Sequence, residues 1–240
     1  MFEKGANVPK LITLRFVSKI ERAPGVWEFW WRPERHVDFS PGQYADFEVA
    51  VPDTHSGQAH NEARTFTIVS HPTEQTVRFW MRFELPGSPF KRALMKLVPG
   101  QPVRMTAPIG TAVLPLEITR PLVYIAQGIG IASVLSPLAE CARQASGGSM
   151  RDVTIWWIRR PDEQQLLDTN THQTAFMRRH EVVRPQRFDV ADIVAGLPAH
   201  PKIFISGTQY FVAAVGDSLQ RAGIDRGDII FDYYEGYVEL

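Results

Sequence analysis

Arg64-Thr65-Phe66-Thr67-Ile68-Val69-Ser70 and Gln127-Gly128-Ile129-Gly130-Ile131-Ala132-Ser133 are the segments of this chain whose residue types and spacing best suit chemistry. The second follows the apolar run Leu122-Val123-Tyr124-Ile125-Ala126 and reads as a strand entering a glycine turn and then a helix. Glycines at such a turn let backbone N–H groups approach a phosphate, and the helix dipole favours its negative charge. The spacing G-I-G-I-A-S differs from the dinucleotide fingerprint G-x-G-x-x-G, so a tight turn without a ligand is an equal reading. In the first segment Arg64 heads a strand of mostly apolar residues, where a buried cation needs an anion such as a phosphate. Thr67 shares a face with Thr65, opposite Phe66, and a hydroxyl there suits a hydrogen bond to the redox-active nitrogen of a flavin. The other reading is an edge-strand arginine paired with a carboxylate, and a threonine in a favoured β setting.

Further candidates lie elsewhere. Pro86-Gly87-Ser88-Pro89-Phe90-Lys91-Arg92 opens a short helix whose free N–H groups suit a second phosphate, although Ser88 as N-cap and Pro89 at the first helical position also make an ordinary helix start. Ser206-Gly207-Thr208 ends an apolar strand, the edge where open α/β sheets bind ligands. Arg159 and Arg160 end another and are within reach of an adenosine ribose or a 2′-phosphate, unless they are simply solvated. The aromatic-rich Phe231-Asp232-Tyr233-Tyr234-Glu235-Gly236-Tyr237 offers rings for stacking or for burying a last strand. The seven histidines show no ligand spacing, so no metal is expected. No nucleophile motif is present.

These residues need a scaffold, and the chain supplies two kinds. Up to about residue 114, short runs rich in branched and aromatic residues alternate with turn formers: 11–20, 26–31, 44–51, 65–70, 77–83 and 102–106, with one helix over 90–97. That pattern predicts a small antiparallel barrel. Beyond residue 120, continuous apolar strands at 122–126, 153–158 and 202–206 alternate with helices expected at 132–145, 170–179 and 210–222, the pattern of a parallel sheet covered on both faces. The boundary is placed at 114–120, giving a barrel domain over 8–115 and an α/β domain over 120–240. At 240 residues, with 44% hydrophobic and 22% charged residues, the chain is long enough for two packed domains. Zero net charge argues against a nucleic-acid binder. The single cysteine, Cys141, excludes an internal disulfide and an iron–sulfur site made by this chain alone, and fits a reducing compartment, hence a cytoplasmic location. MFEKGANVPK lacks the apolar core of a secretory signal, and no run is long enough to span a membrane.

Taken in order, seven segments resemble the ferredoxin–NADP reductase family of flavoproteins over most of the chain. Pro41-Gly42-Gln43-Tyr44 is similar to its Pro-Gly-Gln-aromatic element, RTFTIVS to its Arg-x-Tyr-Ser flavin motif, and PGSPFKRAL to its glycine–serine helix start. APIGTAVL resembles the close of its barrel, AQGIGIASVLSPL its nicotinamide-dinucleotide turn, ISGTQYFVAAV its Cys/Ser-Gly-Pro element and FDYYEGY the Phe-x-Gly-Tyr ending of bacterial members. The resemblance implies that Arg64 binds the flavin phosphates, that Phe66 lies against the flavin, and that Thr67 hydrogen-bonds near N5. It also implies that Gly87, Ser88, Pro89 and Phe90 hold the pyrophosphate, that Gly128 and Gly130 hold the nicotinamide dinucleotide, and that Ser206 and Gly207 face the nicotinamide. Thr65, Met81, Ile131, Arg159 and Tyr237 complete the expected cofactor-binding set, with Thr67 and Ser206 as the catalytic positions.

The chain departs from the family pattern at Phe66, which replaces tyrosine, and at Thr67, which replaces serine. It departs again at Ala107 (glycine), Gln127 (glycine), Ser206 (often cysteine) and Thr208 (proline). The implied activity is hydride transfer from NADH or NADPH to FAD, then electron transfer to a separate acceptor: a ferredoxin, a flavodoxin, an oxygenase component or a ferric chelate. The alternatives are an electron-input subunit of a larger complex and a flavin- or nucleotide-binding module without turnover.

Overall fold

The computed structural model describes residues 11–52, 58–110, 120–146, 152–168, 177–186 and 188–234. Residues 114–119 of the expected domain boundary and Tyr237 lie outside them. The first lobe comprises β1 (Ile12–Ala23), β2 (Val26–Pro33), β3 (Tyr44–Pro52), β4 (Ala59–Thr67), β5 (Val77–Arg82), α1 (Pro89–Lys96) and β6 (Pro102–Met105). Its strands form one six-stranded antiparallel sheet in the order β4-β3-β6-β1-β2-β5. Alternate residues face inward, and the interior is aromatic. Phe16, Phe29, Trp31, Phe47 and Phe79 are buried with ring centroids 4.4–6.2 Å apart. The sheet curls like a barrel, but its ladder does not close. Its edge strands meet just beyond β4, where Val69 N–H donates to Arg78 O (2.9 Å) and Arg78 N–H to Ser70 Oγ (3.1 Å).

That meeting corrects the strand expected at 65–70. β4 runs from Ala59 and ends at Thr67, because the next two N–H groups leave the β3 ladder: Ile68 donates to Gln43 O and Val69 to Arg78 O. The RTFTIVS segment is therefore half strand and half crossover.

The second lobe comprises β7 (Leu122–Gln127), α2 (Ala132–Ser146), β8 (Val153–Arg159), α3 (Gln165–Asp168), β9 (Met177–Val183), α4 (Val190–Ala195), β10 (Lys202–Thr208), α5 (Gln209–Arg221) and β11 (Ile229–Tyr234). The parallel sheet has the order β11-β10-β7-β8-β9, with its apolar strands β7, β8 and β10 in the middle. The helix expected at 170–179 is not found in its described part: Met177 begins β9. An edge strand pairs on one side only, so its sequence MRRHEVV is polar and lacks the apolar run that marks the central strands.

The lobes share a seam. Ala23, Val26, Val69 and Trp80 of the first sheet belong to one buried cluster with Leu135 and Leu138 of α2 and Trp157 of β8. At its margin His71 Nε2 lies 2.8 Å from Glu140 Oε2 on α2, and Glu140 also accepts from Arg143 (2.6 and 2.9 Å) and Gln144 (2.8 Å). Arg143 above all, with His71 and Gln144, holds the Glu140 carboxyl down from 4.5 to about 2. A depressed carboxyl stabilises the fold above its unfolded value and loses that contribution as pH falls toward about 2. Glu140→Gln is therefore expected to cost about 1–2 kcal/mol at neutral pH, discounted for the exposed Arg143, and to be nearly silent near pH 2. Urea titrations at both pH values read the difference, and an equal cost at both would refute it.

Candidate functional site

The flavin-side residues lie at the end of β4 and the start of α1. Arg64 is exposed, contrary to the expectation of a buried cation. Residues 59–65 form a sheet edge paired only to β3, so the guanidinium reaches outward. It donates to Ala63 O (2.7 Å) and Glu62 Oε2 (2.9 Å) and stands over the Phe90 ring at 5.5 Å. Thr65 donates to Asp46 Oδ1 at 2.5 Å. Phe66 is half-buried and stacks on Phe79 (4.2 Å) and Phe90 (6.0 Å), so the ring expected against a cofactor also plugs the barrel. Thr67 is buried, and its hydroxyl has no hydrogen-bond partner among the described residues. Met81 is enclosed in the barrel core, which leaves only its backbone for a ligand.

At α1, Gly87 precedes Ser88, whose Oγ accepts from Lys91 N–H at 3.3 Å, and Pro89 occupies the first turn. No acidic side chain lies in that turn. The buried Phe90 ring touches both Arg64 and Phe66, so helix start and strand end meet on one aromatic ring. The arrangement is a cationic, donor-rich edge open to a phosphate.

In the second lobe β7 passes through a 3-10 turn, Gly128–Ile131, into α2. Gly128 has φ +53°, a conformation other residues rarely take, and its carbonyl accepts from Trp157 Nε1 (3.0 Å). Gly130 serves closeness instead: a Cβ there would sit 2.6 Å from Ser206 O. Ile131 behind it is fully buried. The turn is thus pressed against the end of β10, which carries Ser206 and Gly207.

Two of the residues that depart from the family pattern meet here. Thr208 Oγ1 donates to Gln127 Oε1 (3.0 Å) and accepts from Phe211 N–H (3.3 Å), capping α5. The pair ties the ends of β7 and β10 together across 81 positions of sequence. Ser206 is buried, and its Oγ donates to Asp232 Oδ2 on β11 (2.9 Å).

Arg82, which the sequence reading missed, links the lobes. It leaves the end of β5, is buried, and pairs with the buried Glu163 that follows β8. Glu163 also accepts from Arg160 N–H (2.8 Å), and Arg160 pairs with Glu84 (2.7 Å). The Arg160 hydrogen bond, working against burial, holds the Glu84 carboxyl below its ordinary range. A Cβ on Gly128 would stand 3.9 Å from Glu163 Oε1 and 4.0 Å from Arg82 Nη2, so this ion pair adjoins the glycine turn. The buried Nη1 of Arg82 has no hydrogen-bond partner among the described residues; Glu84 Oε1 is 3.7 Å away. A buried guanidinium N–H without an acceptor beside a turn rich in backbone donors fits an anion. Local pattern gives no sign of this, because only the docking of the lobes brings Arg82 to the turn. Arg159, by contrast, is turned inward: it bonds Glu181 Oε2 (2.5 Å), Arg160 O (3.0 Å) and Pro161 O (3.1 Å), against the expectation that it reaches a ribose or 2′-phosphate.

The comparisons agree with this fold. The fold is that of the ferredoxin reductase-like FAD/NAD-binding proteins. The chain superposes on the FAD/NAD-binding domain of nitric oxide dioxygenase from Vibrio cholerae with TM-score 0.77, 20% identity, and 93% of this chain and 98% of that one covered. It superposes on a ferredoxin NADP+ reductase from Neisseria gonorrhoeae, solved with FAD and NADP, with TM-score 0.74, 17% identity, and the same coverage. In sequence it is 32% identical over 118 residues to the anthranilate 1,2-dioxygenase electron transfer component of Acinetobacter baylyi, covering 48% of this chain and 32% of that protein. The matches thus span about a third of the length of such curated relatives. No family model matches the chain. Among the described residues no helix is long and apolar enough to cross a membrane, and no cluster of side chains suits a metal.

Proposed function

We propose that this chain is an FAD-dependent NAD(P)H oxidoreductase that passes electrons to a separate acceptor: a ferredoxin, a flavodoxin, an oxygenase component or a ferric chelate. Residues 8–115 form the flavin domain and 120–240 the nucleotide domain. The observation that carries the reading is Arg82, a buried cation of the flavin lobe whose Nη1 has no hydrogen-bond partner among the described residues and whose Nη2, paired with Glu163, lies near the glycine turn of the nucleotide lobe. When bound, the nicotinamide supplies hydride and the flavin accepts it and releases electrons singly. The chain itself positions the two partners and excludes water. Arg64 and the start of α1 hold the flavin phosphates. Arg82 with Gly128 and Gly130 holds the dinucleotide pyrophosphate. Thr67 offers an open hydroxyl on the flavin side, and Ser206 lines the nicotinamide side. The free, buried Cys141 and the use of reduced nicotinamide nucleotides support a cytoplasmic location.

Anaerobic stopped-flow mixing tests the reading: the yellow protein is expected to bleach with NADH or NADPH, and absence of bleaching with both refutes it. In the double variant Arg82→Gln/Glu163→Gln, which leaves no orphan carboxylate, flavin content should persist. Its KM for the nucleotide should rise about 10- to 100-fold, the worth of one or two charge-assisted hydrogen bonds. An unchanged KM would remove Arg82 from the site.

A further inference from the structure

The parallel sheet grows in two directions from its centre: β7, β8 and β9 succeed one another to one side, β10 and β11 to the other. In open sheets of this kind ligands sit in the crevice outside the strand ends, at the point where the order reverses. Here that point lies between β7 and β10, and one side-chain pair bridges it. The last ladder pair of the two strands is Ala126 with Ser206, and the next residue of β7 is Gln127. Its side chain crosses to the end of β10. A Cβ added to Gly207 would stand 3.0 Å from Gln127 Cβ and 3.4 Å from Gln127 Oε1, so Gly207 leaves the space that Gln127 takes.

Thr208 fixes which way the carboxamide faces. A threonine hydroxyl has one proton to give. Oγ1 accepts from the Phe211 N–H (3.3 Å) as the cap of α5 and gives its own proton to Gln127 Oε1 (3.0 Å). The reversed carboxamide would leave that proton without this acceptor. With Oε1 committed to Thr208, the two N–H groups of Gln127 remain. They have no hydrogen-bond partner among the described residues, and the residue is half-buried. Donors held this way, at the ligand end of the sheet, gain from meeting an acceptor.

The two sides of the glycine turn differ. The Cβ direction of Gly128 leads to Glu163 and Arg82, beside β8 and the flavin lobe, whereas Gln127 leans toward β10. A dinucleotide with its pyrophosphate at the turn and Arg82 has one half toward β8 and the other toward β10. Gln127 meets only the second half, the side on which Ser206 and Gly207 are expected to face the nicotinamide.

We propose that Gln127, oriented by Thr208, is a specificity-determining residue that donates a carboxamide N–H to the carbonyl oxygen of the nicotinamide carboxamide. Thr208 is a positioning residue that acts through it. Holding the ring by this substituent fixes its rotation, and with it the place of the carbon that gives up hydride. The inference rests on the reading of this lobe as a dinucleotide site.

Anaerobic stopped-flow on the flavin-loaded protein gives the dissociation constant of NADH or NADPH from the saturation of flavin reduction. Adenosine diphosphoribose, which carries the pyrophosphate without the nicotinamide, gives an inhibition constant in the same assay. Gln127→Met, similar in length but without donors, should raise the first constant about 3- to 10-fold, the worth of one neutral hydrogen bond, and shift the second by less than about twofold. Thr208→Val should weaken the reduced dinucleotide in the same direction, Thr208→Ser should restore it, and Thr208→Val should add nothing once Gln127 is methionine. The thionicotinamide analogue, whose sulfur accepts poorly, should bind wild type and Gln127→Met alike. Unchanged dinucleotide affinity in Gln127→Met, an equal loss for adenosine diphosphoribose, or a thio analogue that also loses affinity overturns the carboxamide contact. Fully additive losses at the two positions overturn the role of Thr208. If neither the dinucleotides nor adenosine diphosphoribose bind the wild type, the dinucleotide reading itself fails and the contact with it.

Discussion

Replacing Arg64 with alanine is expected to yield a folded protein that purifies almost without colour. The side chain is exposed and, among the described residues, holds only Glu62, the Ala63 carbonyl and the face of Phe90, so removing it costs little stability, of the order of 0–1 kcal/mol for a surface pair. A guanidinium on a phosphate is a different matter. It makes two charge-assisted hydrogen bonds in a fixed fork, together worth about 3–5 kcal/mol. That corresponds to a drop in flavin affinity of about 100-fold or more. Arg64→Lys keeps the charge but loses the fork, and should fall between. The ratio of flavin to protein absorbance after purification, with thermal melts of the flavin-free proteins, separates binding from folding. Full flavin occupancy in the alanine variant would place the phosphates elsewhere.

The exposure of Arg64 also shows how far the sequence could be read. Its neighbours Phe66, Ile68 and Val69 suggested a buried strand, but burial depends on which strand becomes the edge, and that is settled by partners distant in sequence. The same limit hid β9, whose polar residues carry no apolar run and which begins at Met177, within the end of the expected helix. Features specified by neighbouring residues were legible: the helix opened by Ser88 and Pro89, the strand–turn–helix at Gly128, and the two sheets of opposite kind. Features made by docking were not. Arg82 sits in a strand that reads as core, and its use appears only once Glu163 and the glycine turn are beside it. Gln127 and Thr208 stood out singly as departures, whereas in the fold they are one hydrogen-bonded pair. That pair lies just beyond the last ladder pair of β7 and β10, Ala126 with Ser206, and extends the contact between the two strand ends.

The largest stability effect is expected at Glu28, which the sequence did not mark. It lies on β2, is fully buried, and accepts from three donors on three elements of the barrel. Arg22 comes from β1, Trp30 Nε1 from β2 itself (3.1 Å), and Arg78 from β5 (2.7 Å). Arg78 is in turn held by Glu74 (2.7 and 3.0 Å) and lies over the Trp30 ring at 4.8 Å. A buried carboxylate is tolerable only because its lone pairs are occupied and two guanidinium groups balance it. Glu28→Ala would strand both cations with one counter-ion left, Glu74, and leave an indole N–H without an acceptor. The expected loss is about 3–5 kcal/mol, a large share of the stability of a typical domain. Glu28→Gln keeps the shape and one acceptor but removes the charge, and should lose less than the alanine variant. Because β1, β2 and β5 all meet at this carboxylate, and β5 also delivers Arg82 to the other lobe, the damage should reach the cleft. Denaturant titrations of flavin-free wild-type and variant proteins measure the first effect, and nucleotide KM at low temperature, where the variant is still folded, measures the second. A loss below about 1 kcal/mol for Glu28→Ala would mean that water replaces the carboxylate without penalty, and that the three strands are joined by their aromatic core alone.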